Sequence, residues 1–277
     1  MNVIPWMLLS IQALIVIASL AGYGIFTARP DWLAQVDPGA RFFVWAFHGF
    51  AVGNMVFGGL AAFADILLRH RVRGLAAFAA VYLVSLASEL AGTAFGVPFG
   101  AYAYTSLLGP KWLDSVPVLI PLSWFTVSWA AWRIAHVFVR GLAAVAFGTW
   151  LLVAWDLLLD PAMSKVTSYW VWGESGSYYG MPLTNLAGWA ITGFVLLAAL
   201  ARLVPRPGGG ARLAAAIYGV NFLLPLGFCA LNGYWMAVVA ALGSLGAGFA
   251  LFSRYVPTAG SSPGGSLVDS YQDAAGR

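Results

Sequence analysis

Residues 141–163 read GLAAVAFGTWLLVAWDLLLDPAM, and from Gly141 to Leu159 only Thr149 and Asp156 interrupt the apolar run. At a rise of about 1.5 Å per residue, roughly twenty apolar residues cross the hydrocarbon core of a bilayer, so the stretch reads as a transmembrane helix. Asp156 and Asp160 are four apart near its end and share a helix face. An ionisable group in hydrocarbon costs roughly 2.5 kcal/mol or more, and its default meaning is a functional site.

The rest of the chain repeats the pattern. Of 277 residues, 61% are hydrophobic and 9% charged, with 13 Trp and a mean hydropathy of +0.83. Such a composition excludes a soluble globule, and the apolar runs are too long for the strands of a membrane barrel. The expected fold is all-α, a polytopic membrane bundle of about eight transmembrane helices. They lie near Ile4 to Phe26, Phe42 to Leu68, Leu75 to Phe95, Pro117 to Val137, Gly141 to Leu159, Leu183 to Leu203, Leu213 to Leu231 and Tyr234 to Phe252. Asn232-Gly233 reads as a tight turn between the last two, but as a kink it would leave seven. Residues 1–256 form a single transmembrane catalytic domain in this reading, and residues 257–277, rich in Gly, Ser and Pro, a disordered cytoplasmic tail.

With eight spans, Arg69, Arg71, Arg73, Arg140, Arg202, Arg206, Arg212 and Arg254 fall on one side. The positive-inside rule makes that side cytoplasmic, with both termini inside and the protein a multi-pass component of the cell membrane. The same rule accounts for the formal charge of +4 and a pI near 9.3, so nucleic acid is not an expected partner. No Lys or Arg precedes Arg29, so the first apolar segment is expected to be retained rather than cleaved as a signal. Cys229, the one cysteine, lies in an apolar span, which rules out an internal disulfide.

Two connections, Gly96 to Val116 and Pro161 to Pro182, exceed what antiparallel helices require and are crowded with aromatic residues, Gly and Pro. They are expected on the extracytoplasmic side as a lid or as walls of a pocket, the alternative being a simple aromatic belt. Glu89 lies six residues before the end of the third span, hence about 9 Å below the outer boundary. Asp156 and Asp160 close the fifth span on that side, while His48 and Asn185 enter there on the second and sixth. Each has a plainer reading: Asp160-Pro161 as a solvated helix end, His48 as a hydrogen-bonded core residue, Glu89 as half of an ion pair. Arg133, the intramembrane candidate for that pair, sits toward the cytoplasmic end of its span, and His70 and His136 are cytoplasmic by this topology.

A carboxylic acid kept protonated by apolar surroundings is a usable general acid, and a neighbouring carboxylate can orient or deprotonate water. Aromatic faces stabilise a carbocation by roughly 0.5 to 2 kcal/mol per contact. Together these suit the addition of water across an isolated alkene in a lipid. Glu89, Asp156 and Asp160 are the catalytic candidates. The candidates for substrate contact are His48, Phe99, Tyr102, Tyr104, Trp124, Trp155, Trp170 and Asn185.

ELAGTAFGVPFGAYAYTSLLGPKWLDSVPVLIPLSWF (residues 89–125), WDLLLDPAM (155–163) and YWVWGESGSYYGMPLTNLAGW (169–189) together resemble the carotenoid biosynthesis proteins of the CruF type, integral-membrane carotenoid hydratases. The resemblance is clearest from Arg41 to Trp189. It implies hydration of the terminal double bond of an acyclic carotenoid end to a tertiary alcohol, with no cofactor and no metal. The implied partners are the carotenoid, water, the lipid bilayer and other membrane enzymes of carotenoid synthesis. The match carries over Glu89, Phe99, Gly100, Tyr102, Tyr104, Asp156, Asp160 and Asn185; the roles of acid and base among them are inference. After PFG the chain has Ala101, where the pattern carries a polar or basic residue.

Rival readings remain. Asp156-LLL-Asp160 superficially resembles the Asp-rich helix of a prenyltransferase, but such enzymes need two such segments. A carotenoid cyclase protonates the same kind of alkene and differs in what captures the cation. A proton-coupled lipid transporter would also bury carboxylates, yet the chain carries no internal repeat. A non-catalytic membrane scaffold would leave three sunken acids unexplained.

Overall fold

Each of the eight apolar stretches falls on helix in the computed structural model, which describes residues 2–208 and 211–254. The tail expected from Pro257 lies outside the described residues. Helix α1 is Val3–Ala28, and α2, Pro30–Val36, is a short helix opened by a proline whose missing N–H costs nothing there. Helix α3, Arg41–Phe95, contains both the second and third stretches. It is followed by α4 (Ile120–Phe138), α5 (Gly141–Asp160), α6 (Thr184–Leu203), α7 (Arg212–Leu231) and α8 (Trp235–Ser253). Among the described residues six helices are long and apolar enough to cross a membrane, with α3 counted once and α4 not counted.

Helix α3 is two arms. At Arg71 the backbone turns to φ 48°, ψ −121°, and the arms double back so that Phe63 and Phe78 meet edge to face with centroids 4.7 Å apart. The turn is tight enough that a Cβ on Gly74 would stand 2.6 Å from the carbonyl oxygen of Ile66, so only glycine fits. Helix α4 packs against α3, α5, α6 and α7 and is buried from Trp124 through His136. Shielded from lipid by these neighbours, it can carry Ser, Thr, Arg and His where the outer helices carry mainly aliphatic residues.

The expectation of helices alone is corrected in the two long connections. Each contributes short strands: β1 (Tyr102–Tyr104) pairs antiparallel with β4 (Trp170–Trp172), and β2 (Lys111–Trp112) with β3 (Val116–Pro117). Beyond Asp160 the chain does not stop at the proline but runs on as a π-helical turn, Pro161–Val166, a form frequent at functional sites.

At the end of the bundle holding the α3 turn lies an ion pair that sequence reasoning missed. Asp65 is buried in α3 and accepts bonds from Arg69 Nε at 2.7 Å, Arg133 Nη1 at 2.6 Å and Trp129 Nε1 at 2.9 Å. Arg133, weighed above as a partner for Glu89, is thus committed elsewhere. Arg69 and His70 also reach the carbonyls of Gly208 and Pro207, so the turn of α3 and the α6–α7 link sit together. Removing Asp65 strands a buried guanidinium. Asp65→Ala is expected to destabilise the protein by about 3 to 5 kcal/mol, whereas loss of the partly exposed Arg69 costs about 1 kcal/mol or less. Thermal unfolding in detergent micelles checks the order of the two; equal midpoints would remove Asp65 from the core of the fold.

Candidate active site

The paired strands β1 and β4 join the two long connections into a lid. Their register sets Tyr102 opposite Trp172 and Tyr104 opposite Trp170. Residues two apart on a strand share a face, so all four aromatic residues point the same way while Ala103 and Val171 point the other. The inward face meets the acids. Tyr102 and Tyr104 both donate to Glu89 Oε2, the latter at 2.9 Å, and Trp124 of α4 donates to Glu89 Oε1 at 2.7 Å. On the other side Trp170 and Trp172 donate to Asp160 Oδ1 at 2.8 and 3.1 Å. Burial first, and then the neighbouring Glu89 carboxyl, raise both tyrosine hydroxyls above the ordinary phenol range, so they remain donors at neutral pH.

Lid closure depends on one glycine. A Cβ on Gly92 would meet the Tyr102 hydroxyl at 2.7 Å and the Phe99 ring at 2.9 Å, so any larger residue one turn beyond Glu89 pushes the lid away from it. The strands are pinned in turn by Thr105 N to the Tyr169 carbonyl and Gly173 N to the Ala101 carbonyl. Ala101 therefore serves through its backbone at this contact.

Glu89, Asp156 and Asp160, at 4%, 1% and 1% exposure, bound a single cavity of about 50 Å³ with Asn185. Phe99, Tyr102, Tyr104, Trp124, Trp170, Trp172 and Trp189 wall it. The predicted acids come together from two helices, α3 and α5, and α4, α6 and the lid close the space around them. Burial removes the reading of Asp160 as a solvated helix end. Asp156 Oδ2 accepts from Asn185 Nδ2 at 2.8 Å, while Asp156 Oδ1 is buried with no hydrogen-bond partner among the described residues. None of the three acids makes an ion pair with Lys or Arg among the described residues. Nor, among them, are three His, Cys, Asp or Glu side chains arranged to hold one metal ion.

Two predicted contacts lie outside this cavity. His48 Nδ1 stands 3.3 Å from the Tyr169 hydroxyl and does not line the acid chamber; Trp155 faces an adjoining cavity and donates to the Asn221 carbonyl at 3.0 Å. Conversely, Trp172 and Trp189 were not among the predicted residues. Trp189 stacks on Trp124 with centroids 3.9 Å apart. The alternation of Tyr102 with Tyr104 and of Trp170 with Trp172 was the available signal for the lid, since period two marks a strand.

Residues 50–247 match the family described as carotenoid biosynthesis protein, and the chain belongs to that family. It is also similar to the bisanhydrobacterioruberin hydratase of Haloarcula japonica, 35% identical over 128 residues, an alignment that covers 43% of this chain and 42% of that protein. The similarity thus spans less than half the length of the relative. No solved structure matches the chain.

Trp124→Phe keeps a ring to stack on Trp189 but strips the donor from Glu89 Oε1. Leaving a buried carboxyl oxygen unsatisfied costs about 1 to 3 kcal/mol, and the thermal midpoint is expected to fall accordingly. An unchanged midpoint would show that this bond does not hold the chamber together.

Proposed function

We propose that the protein hydrates the terminal carbon–carbon double bond of an acyclic carotenoid end group, producing a tertiary alcohol. The observation that carries this reading is the unpartnered Asp156 Oδ1 in an aromatic-walled chamber with two further carboxyls. Family membership and the relative named a hydratase support it.

The hydrogen bonds separate the roles. Glu89 and Asp160 are held by N–H and O–H donors, whereas Asp156 has one oxygen free to carry a proton and pass it on. Asp156 gives its proton to the less substituted alkene carbon as the π electrons form the new C–H bond. The tertiary cation left beside it is stabilised by the Trp and Tyr faces, at about 0.5 to 2 kcal/mol per contact. A water oxygen bonds to that cation and releases a proton to a carboxylate, with Asp160, one helical turn along the same face, as acceptor. Proton exchange between Asp160 and Asp156 then restores the starting state, so no cofactor is consumed. Glu89 anchors the lid by accepting from Tyr102, Tyr104 and Trp124, and Asn185 orients Asp156.

The Arg-rich loops favour an acid chamber toward the extracytoplasmic leaflet, with the N-terminus on the cytoplasmic side. Expression in cells that accumulate an acyclic carotene, followed by mass analysis of the pigment, tests the reaction. The expected product is heavier by one water; an isomer of unchanged mass would identify a cyclase and overturn the proposal. Asp156→Asn is expected to abolish product, and Glu89→Gln to lower it by about a hundredfold, the usual size of a lost electrostatic or acid–base contribution, with membrane insertion intact in both. Full activity in Asp156→Asn would remove that residue from the mechanism.

A further inference from the structure

The acid chamber is the innermost of three cavities that share walls. Ile120, Ser123, Leu159 and Trp170 line both the chamber and a second cavity of about 70 Å³ among α1, the first arm of α3, α5 and α7. Ser19 and Phe47 line both that cavity and a third of about 400 Å³, enclosed by α1, α2 and the start of α3. The three cavities are therefore neighbours in series, from the three carboxyls to the space beside α1 and α2.

We propose that the three cavities form one tunnel that holds the polyene chain of an acyclic carotenoid, with its end group among the acids and its mouth, between α1, α2 and the first arm of α3, open to the bilayer. The inference rests on the hydratase reading of the acid chamber and adds the seat of the rest of the substrate. The chemistry of the wall is that of a hydrocarbon site. Three polar residues of the middle cavity bond within the protein: Ser19 donates to the Ile15 carbonyl, Asn54 accepts from Gln12, and Asn221 donates to the Ile217 carbonyl. Apart from Ser123 and the Tyr169 hydroxyl, the rest of the wall is aliphatic and aromatic.

The shape points the same way. With about 400 Å³ at the mouth and about 70 and 50 Å³ further in, the series suits a long chain fed end first. At the mouth Val36 and Phe42 are 70% and 67% exposed, a surface that suits lipid contact and capture of a molecule dissolved in it. At mid-depth Tyr169 lines the tunnel, and His48 stands behind it within reach of its hydroxyl. That makes His48 a positioning residue of the wall rather than an acid.

Two substitutions test the tunnel. Gly22 lines the mouth, and a Cβ there meets no heavy atom within 4 Å, so Gly22→Phe starts its side chain in open space and adds a ring to the cavity. Ala51→Phe fills the middle cavity. Gly243→Phe is the control, since its Cβ also meets nothing within 4 Å and it lines none of the three cavities.

The full chain in lipid nanodiscs is assayed with an acyclic forty-carbon carotene and with a ten-carbon acyclic alkene bearing the same terminal double bond. Binding of the carotene is read separately by quenching of tryptophan fluorescence. Both tunnel variants are expected to lower the ratio of long- to short-substrate turnover by about tenfold or more and to weaken carotene binding similarly, while the control changes neither. An unchanged ratio with unchanged binding overturns the tunnel. If the wild type converts neither substrate, the hydratase reading fails on its own. Carotene binding lost in Gly22→Phe and Ala51→Phe but kept in Gly243→Phe then still upholds the tunnel, and binding kept in all three overturns it.

Discussion

The bonds from the lid to the buried carboxyls hold the rest of the site in place. A carboxyl removed from water must recover its hydrogen bonds from the protein, or the fold loses several kcal/mol. Glu89 recovers them from Tyr102, Tyr104 and Trp124, and Asp160 from Trp170 and Trp172. Four of those five donors sit on one small ribbon, β1 with β4, so the acids hold the lid down and the lid makes their burial tolerable. Tyr and Trp suit this position because each offers a large apolar body to the cavity and a single polar handle to the acid. Gly92 belongs to the same device, since the Tyr102 hydroxyl passes through the space where a side chain would stand.

The two ends of the bundle treat buried acid differently. Asp65 is neutralised by Arg69 and Arg133, with both oxygens occupied, and it joins the first arm of α3 to α4. Such a pair is inert: its charge is spent on its partners. Among the described residues, the carboxyls of the acid chamber have neutral donors instead of guanidinium groups, and one oxygen of Asp156 has no donor. Neutral donors satisfy geometry without cancelling charge, so the capacity to hold and move a proton is kept where the alkene would lie. Acid that is structural and acid that is available for chemistry are thus distinguished by their partners, not by their depth.

The helices were legible because hydrocarbon leaves the backbone few options, and runs of twenty apolar residues can satisfy themselves only as helix. Glu89, Asp156 and Asp160 were legible for the same reason, as polar residues that hydrocarbon penalises. Asp65 was not singled out because it lies four residues before Arg69, near the loop, where an acid reads as interfacial. The lid was harder to see. Strands of three residues carry too little periodicity to stand out in a stretch full of Gly and Pro, and nothing in a single chain says that residues 102–104 meet residues 170–172. His48 was placed with the acids by depth alone; depth fixes height in the bundle but not direction around a helix, and its ring turns to Tyr169 instead.

For the proposed hydration, the dimensions of the chamber bear on what would capture the carbocation. Ring closure requires the chain to curl so that an internal double bond reaches the charged carbon, which asks for breadth at the reacting end. Hydration asks only that the end lie straight and that a polar group hold a water beside it. A chamber of about 50 Å³ offers little room to curl, and it sets the oxygens of Asp156 and Asp160 around the space instead of an unbroken apolar wall. For the proposed reaction, small volume and polarity at the acids both favour water over the substrate's own double bond as the nucleophile.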